Sequence, residues 1–183
     1  MSSCHLKEQD CLSLLPNFSK LTALNLSINS ALEDLSYLSG FANLRILGLT
    51  KISPNTNFLP IRTLTNLRDL TVDEISAEFL PQGLLELYGS VTNMHGHINR
   101  VPQSLTSLEI FDSQLDDPDM EELAKYTRLR SLSIESANGL TNNGLLHLSK
   151  LTNLKDLCLP TNASEDVMSR LKNFLNLTHL DRF

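Results

Sequence analysis

Three groupings in the sequence carry side chains that could do chemistry. His95-Gly96-His97 offers two imidazoles, but no Cys, His or acid stands at a recognised spacing to complete a zinc set. The acidic run from Asp116 to Glu122 has neither the glycine nor the alternation of a calcium loop and reads instead as a helix start. Cys158 lies two residues after Asp156, which shares a repeat phase with His179. That set has the outline of a thiol nucleophile with a base, yet no segment supplies an oxyanion hole or excludes water. No glycine-rich phosphate loop occurs. The expectation is a chain with no catalytic residues, no metal and no cofactor.

The elements that position these residues are legible from the leucines, 39 in 183 residues. The phrase L-x-x-L-x-L begins at Leu21, Leu44, Leu67, Leu84, Leu105, Leu129 and Leu154, and a shortened form begins at Leu177. Successive starts are 23, 23, 17, 21, 24, 25 and 23 residues apart. Within each phrase the last two apolar positions have the period-2 spacing that sends both to one face of a strand. Parallel stacking of such strands needs a return segment of a dozen or more residues, which these steps accommodate.

The repeated phrase resembles the leucine-rich-repeat family over 21–183. Leu140 to Leu159 is similar to the subtype in which a helix precedes the strand, found in F-box-type ubiquitin-ligase adaptors and many bacterial proteins. LPQGLLELYGSV and VPQSLTSLEIFDSQL are similar to the shorter repeat of effectors that pathogenic bacteria inject into host cells. Gly89 departs from the pattern, standing where the family has an apolar residue. The resemblance implies an α/β fold, a right-handed leucine-rich-repeat solenoid with a parallel concave sheet and a helical or 3₁₀ convex side. It implies a domain arrangement of an N-terminal helical cap or partial repeat over 1–20, followed by an arc of about eight strands whose C-terminal end is uncapped.

Return segments show helix signals of unequal strength. Ser30-Ala-Leu-Glu33 forms a capping box with Gly40 as a stop, Asp117-Pro118 opens a second helix, Asn143-Gly144 a third and Ser164-Glu165-Asp166 a fourth. Ser76 to Gln82 and Thr92 to Val101 are too short or too rich in Gly and Pro, and 3₁₀ turns or loops are expected there. Three cysteines and an N-terminus without a signal-peptide run point to a cytosolic compartment, the host cytosol for an injected effector. No apolar run is long enough for a membrane span. The net charge of −6 argues against non-specific nucleic-acid binding.

Counting each first leucine as position one, positions three, five, seven and eight project from the concave face. Nine residues there are acidic and Lys51 is the one cation. The candidate binding set is Asp69, Asp73, Glu74, Glu86, Tyr88, Glu109, Phe111, Asp112 and Glu135, two aromatics ringed by carboxylates. Position two carries Arg45, Arg68, Arg130 and Lys155, which would neutralise the acids if they folded onto them. The expected function is non-enzymatic recognition of a protein or peptide, of basic character, on an acidic concave face. The alternative is the substrate-recognition part of a modifying enzyme, a ubiquitin-ligase adaptor or secreted effector, with catalysis outside this chain. Self-association through the C-terminal edge is a further expectation.

Overall fold

The computed structural model describes residues 20–112 and 114–183, so the N-terminal cap expected before Leu21 lies outside the described residues. Every phrase forms a strand: β1 Ala23–Asn25, β2 Ile46–Leu49, β3 Asp69–Ser76, β4 Glu86–Thr92, β5 Ser107–Phe111, β6 Ser131–Ser136, β7 Asp156–Leu159 and β8 His179–Arg182. They build one parallel sheet in sequence order. That order follows from the repeat, since each strand can bury its leucines only against the next. The leucines opening the phrases, Leu44, Leu67, Leu84, Leu105, Leu129 and Leu154, are at most 1% exposed, and the in-pointing strand pairs such as Leu47 with Leu49 and Leu132 with Ile134 are equally buried. Each contributes roughly 1.5–3 kcal/mol of burial. No helix among the described residues is long and apolar enough to cross a membrane.

The convex side divides into two halves. Up to Arg100 it consists of 3₁₀ turns, Ser36–Gly40, Leu59–Thr63, Ala77–Phe79 and Ile98–Arg100. Beyond that come α1 Asp117–Leu123, α2 Asn142–Leu145 with a 3₁₀ continuation over Leu146–Lys150, and α3 Glu165–Phe174. The expected helix after Ser30 is therefore a 3₁₀ turn. Thr56 and Asn57 of the next repeat engage Leu32 and Glu33 through backbone carbonyls, holding that stretch extended. Irregularity extends over the whole first half of the arc rather than its middle. Asp116, one residue earlier than the sequence suggests, caps α1 in a reciprocal box with Asp119. Thr141 caps α2, and Ser164 caps α3 as expected.

Two adaptations absorb the uneven steps. Across the 17-residue step the Arg68 guanidinium turns into the return segment, where Nη1 is shared among the carbonyls of Thr65 at 3.1 Å, Leu67 at 2.9 Å and Gly83 at 3.0 Å. In the fourth phrase, Gly89 has φ 137° and lies so close to β3 that a Cβ would sit 2.1 Å from the Val72 carbonyl oxygen. The strand bulges there and Val91 takes the buried place that Gly89 leaves empty. Position eight of this phrase thus faces the core, not the concave surface, and Ser90 rather than Tyr88 pairs with Glu109.

Ile28, Lys51 and Asn93 all have φ of 53–63°, at the turn by which their strands exit. Asn93 joins the other two only because the bulge adds two residues to its repeat. A β-branched side chain is strained in this region. Ile28 is 60% exposed and so has little packing to lose. Ile28→Asn should raise stability by about 1 kcal/mol, read as an increased urea midpoint at unchanged m-value.

Candidate functional site

The sheet lines up the out-facing residues in columns. One runs Ala23, Ile46, Asp69, Glu86, and resumes as Ser107, Ser131, Asp156, His179; the next runs Asn25, Gly48, Thr71, Tyr88, and resumes as Glu109, Ser133, Cys158, Asp181. Adjacent strands lie about 4.8 Å apart, so carboxylates on neighbouring strands reinforce one another's potential. Asp73, Glu74, Glu109 and Glu135 are exposed, while Asp69 and Glu86 are half-buried. Light hydrogen bonds orient two of them: Thr106 Oγ1 donates to Glu86 at 2.9 Å and Ser90 Oγ to Glu109 at 3.3 Å. Asp73 accepts the Lys51 backbone N–H at 2.6 Å, fixing the positive-φ turn beside it.

Asp112 does not join this surface. It is buried, and its carboxylate accepts the backbone N–H groups of Met94 at 2.6 Å, His95 at 3.2 Å and Gln114 at 2.9 Å. Its role is to fasten the exit of β5 to the loop after β4, so it leaves the candidate set.

The position-two cations do not cancel the acids. Arg68 is committed to carbonyls as described, and Lys155 Nζ donates to the Asn176 carbonyl at 3.2 Å. Among the described residues no ion pair joins Arg45, Arg68, Arg130 or Lys155 to a concave carboxylate. A concave acid does meet a cation-forming group near the end of the sheet, where His179 Nε2 is 4.0 Å from Asp156.

Tyr88 is 60% exposed and Phe111 44%. They occupy adjacent strands, but the bulge offsets β4 against β5 by two residues. From Ser90 onward each β4 residue therefore faces a β5 residue two places earlier in its phrase than alignment implies. Both rings are apolar groups exposed on the out-facing side of the sheet. Ile46, 50% exposed in the Asp69 column, is a third that sequence reasoning passed over. Its signal was available: an isoleucine at an out-facing position otherwise filled by polar or small residues.

The thiol grouping is chemically unpromising. Cys158 is half-buried, and burial pushes its thiol pKa up, helped by the charge of Asp181 and opposed by a hydrogen bond with Ser133. A nucleophilic cysteine needs the opposite shift.

The histidine motif and the acidic run, separate in the sequence, meet in space. His95 Nδ1 lies 2.9 Å from Asp119 Oδ2 and 3.9 Å from Asp116 Oδ2. The hydrogen bond to Asp119 and the charges of Asp119, Asp116 and Asp112 raise the imidazole pKa above its ordinary value, against a smaller opposing effect of burial. His97 takes no part in this group. The separations of 21 and 24 residues are repeat lengths, a signal that ligand-spacing rules for helices and hairpins do not contain.

No protein-family model matches the sequence, and no curated protein is similar to it. Solved structures are. Internalin C2 of Listeria monocytogenes superposes with a TM-score of 0.69 at 22% identity, over 92% of this chain and 74% of that one. An internalin F of the same organism gives 0.52 at 22% identity, over 92% of this chain and 63% of its own. A leucine-rich-repeat protein of Leptospira interrogans gives 0.62 at 21%, over 93% of this chain but 45% of its own length. Identities this low speak for the fold alone. Eight consecutive parallel strands, each built on L-x-x-L-x-L or a variant of it, and these neighbours together make the chain a leucine-rich-repeat solenoid.

Proposed function

We propose that this chain is a non-enzymatic recognition module that binds a protein or peptide of basic character on the concave face of β3 to β6. The observation that carries the reading is the row of carboxylates Asp69, Asp73, Glu74, Glu86, Glu109 and Glu135, none of which is ion-paired among the described residues, while Arg68 and Lys155 of the position-two column are engaged with backbone carbonyls. Tyr88, Phe111 and Ile46 supply apolar area among those charges, the composition of an interface anchor with a polar surround. A hydrogen-bonded sheet presents these groups without ordering cost on binding. The fold shared with other leucine-rich-repeat structures suits the reading, because a stacked repeat offers a long continuous surface.

The test is affinity capture with wild type and the Tyr88→Ala/Phe111→Ala double variant in parallel, followed by titration of the captured partner. Each single substitution should weaken binding by about 1–3 kcal/mol without shifting the unfolding midpoint by much, since both rings are largely in solvent. Equal affinity of wild type and double variant would remove both anchors from the account.

A further inference from the structure

We propose that His95, Asp116 and Asp119 form a binding site for a divalent transition-metal ion, with zinc the ion that the donors suit best. The set is more than a patch of acids. An imidazole from the loop after β4 and two carboxylates from the start of α1, one repeat later, bring their ligand atoms within 4.8 Å of one another. A tetrahedral zinc with bonds of about 2.0–2.2 Å needs donors roughly 3.3–3.5 Å apart. The His95 contacts at 2.9 Å and 3.9 Å straddle that value.

The supporting groups are already in place. Asp119 is only 5% exposed at its side chain, and the backbone N–H groups of Gly96 at 2.9 Å and Asp116 at 3.2 Å hold its carboxylate. One oxygen of Asp116 accepts the Asp119 N–H at 3.1 Å, and the other faces His95. Helix capping uses Oδ1 of Asp116 and Oδ2 of Asp119, the latter being the oxygen that also faces His95. It does not explain why an imidazole from another repeat lies against that Asp119 oxygen and within 3.9 Å of the other oxygen of Asp116. Outer contacts of this type orient metal ligands.

Donor chemistry selects the class of ion. Calcium and magnesium require six or more oxygens, whereas one nitrogen and two carboxylates suit zinc and its neighbours. Two carboxylates balance the charge of a dication. His95 and Asp116, about half and two-fifths exposed at their side chains, leave one side open for water as a fourth ligand. This site lies away from the concave columns, and its assignment stands or falls independently of the proposed recognition role.

The full chain, freed of metal by chelation, is titrated with Zn²⁺ by calorimetry and with Co²⁺ by visible absorption. Saturable uptake of one ion per chain is expected, with Mg²⁺ and Ca²⁺ failing to compete. His95→Gln and Asp116→Asn should each weaken uptake by about tenfold or more, and His97→Gln should leave it unchanged. Zn²⁺ should raise the unfolding midpoint of wild type but not of the His95→Gln protein, which separates lost ligation from lost folding. Absence of saturable uptake by wild type, full retention by His95→Gln, or loss in His97→Gln overturns the assignment.

Discussion

Gly89→Ala is expected to destabilise the chain by about 3 kcal/mol or more, among the largest effects available to a single added methyl group. Two costs add. The backbone at φ 137° is closed to side chains, a strain of order 1–3 kcal/mol. The added Cβ would also fall 2.1 Å from the Val72 carbonyl oxygen and 2.9 Å from its carbon. That clash cannot be relieved by a rotamer change, because the obstruction is backbone of the neighbouring strand; overpacking of this type costs about 1–3 kcal/mol more. Moving β4 away from β3 would also withdraw Val91 from its fully buried position. The check is urea unfolding of Gly89→Ala beside Gly83→Ala. At Gly83 the first atom met is the end of the Arg68 side chain, with the Thr65 carbonyl close behind, so the penalty there should be smaller.

Tyr126 carries the second large effect. It takes the place held by Leu64 and Leu151 in other repeats, yet its hydroxyl reaches back to the preceding repeat and donates to the carbonyls of Ile98 and Val101, the latter at 2.9 Å. Those carbonyls belong to a convex segment with only a 3₁₀ turn to order it, and the tyrosine stitches that segment to α1. Tyr126→Phe should cost about 1–3 kcal/mol from the lost partner of buried carbonyls, and Tyr126→Ala about 3–5 kcal/mol or more from the cavity as well. Burial, with a smaller contribution from Glu122, pushes the phenol pKa up to about 12. The folded pKa therefore exceeds the unfolded value near 10. The stabilisation is fully present below pH 10 and is lost as the pH rises towards 12, because the unfolded chain releases this proton first. Urea midpoints at pH 9 and pH 11 should fall for wild type and fall less for Tyr126→Phe.

The strands were legible because leucine spacing is a local consequence of which face is dry, and every phrase marks one. Register across the middle of the sheet was not. Gly89 is visible as an exception to the phrase, but its bulge and the substitution of Val91 depend on how closely the β4 backbone approaches Val72, a tertiary distance. The same limit explains Asp112: its place in the phrase suggests an out-facing acid, whereas two backbone N–H groups of a neighbouring loop and that of Gln114 in its own loop draw it inward. Ser30 to Glu33 shows a capping signature without a helix, because cross-repeat hydrogen bonds outweigh a local box when the return segment is short. Cross-repeat groupings such as His95 with Asp119 become readable only once the solenoid period replaces the helical one as the measure of proximity.

The concave surface is the part of the account on which function rests. A lysine- and arginine-rich peptide titrated into the ¹⁵N-labelled chain, at low and at physiological ionic strength, probes it residue by residue. The account predicts shift changes confined to out-facing residues of β3 to β6, affinity falling as salt rises, and loss of both in the Asp73→Asn/Glu74→Gln/Glu109→Gln/Glu135→Gln variant. Shift changes mapping to α1 to α3, or binding that survives neutralisation of those four carboxylates, would contradict it.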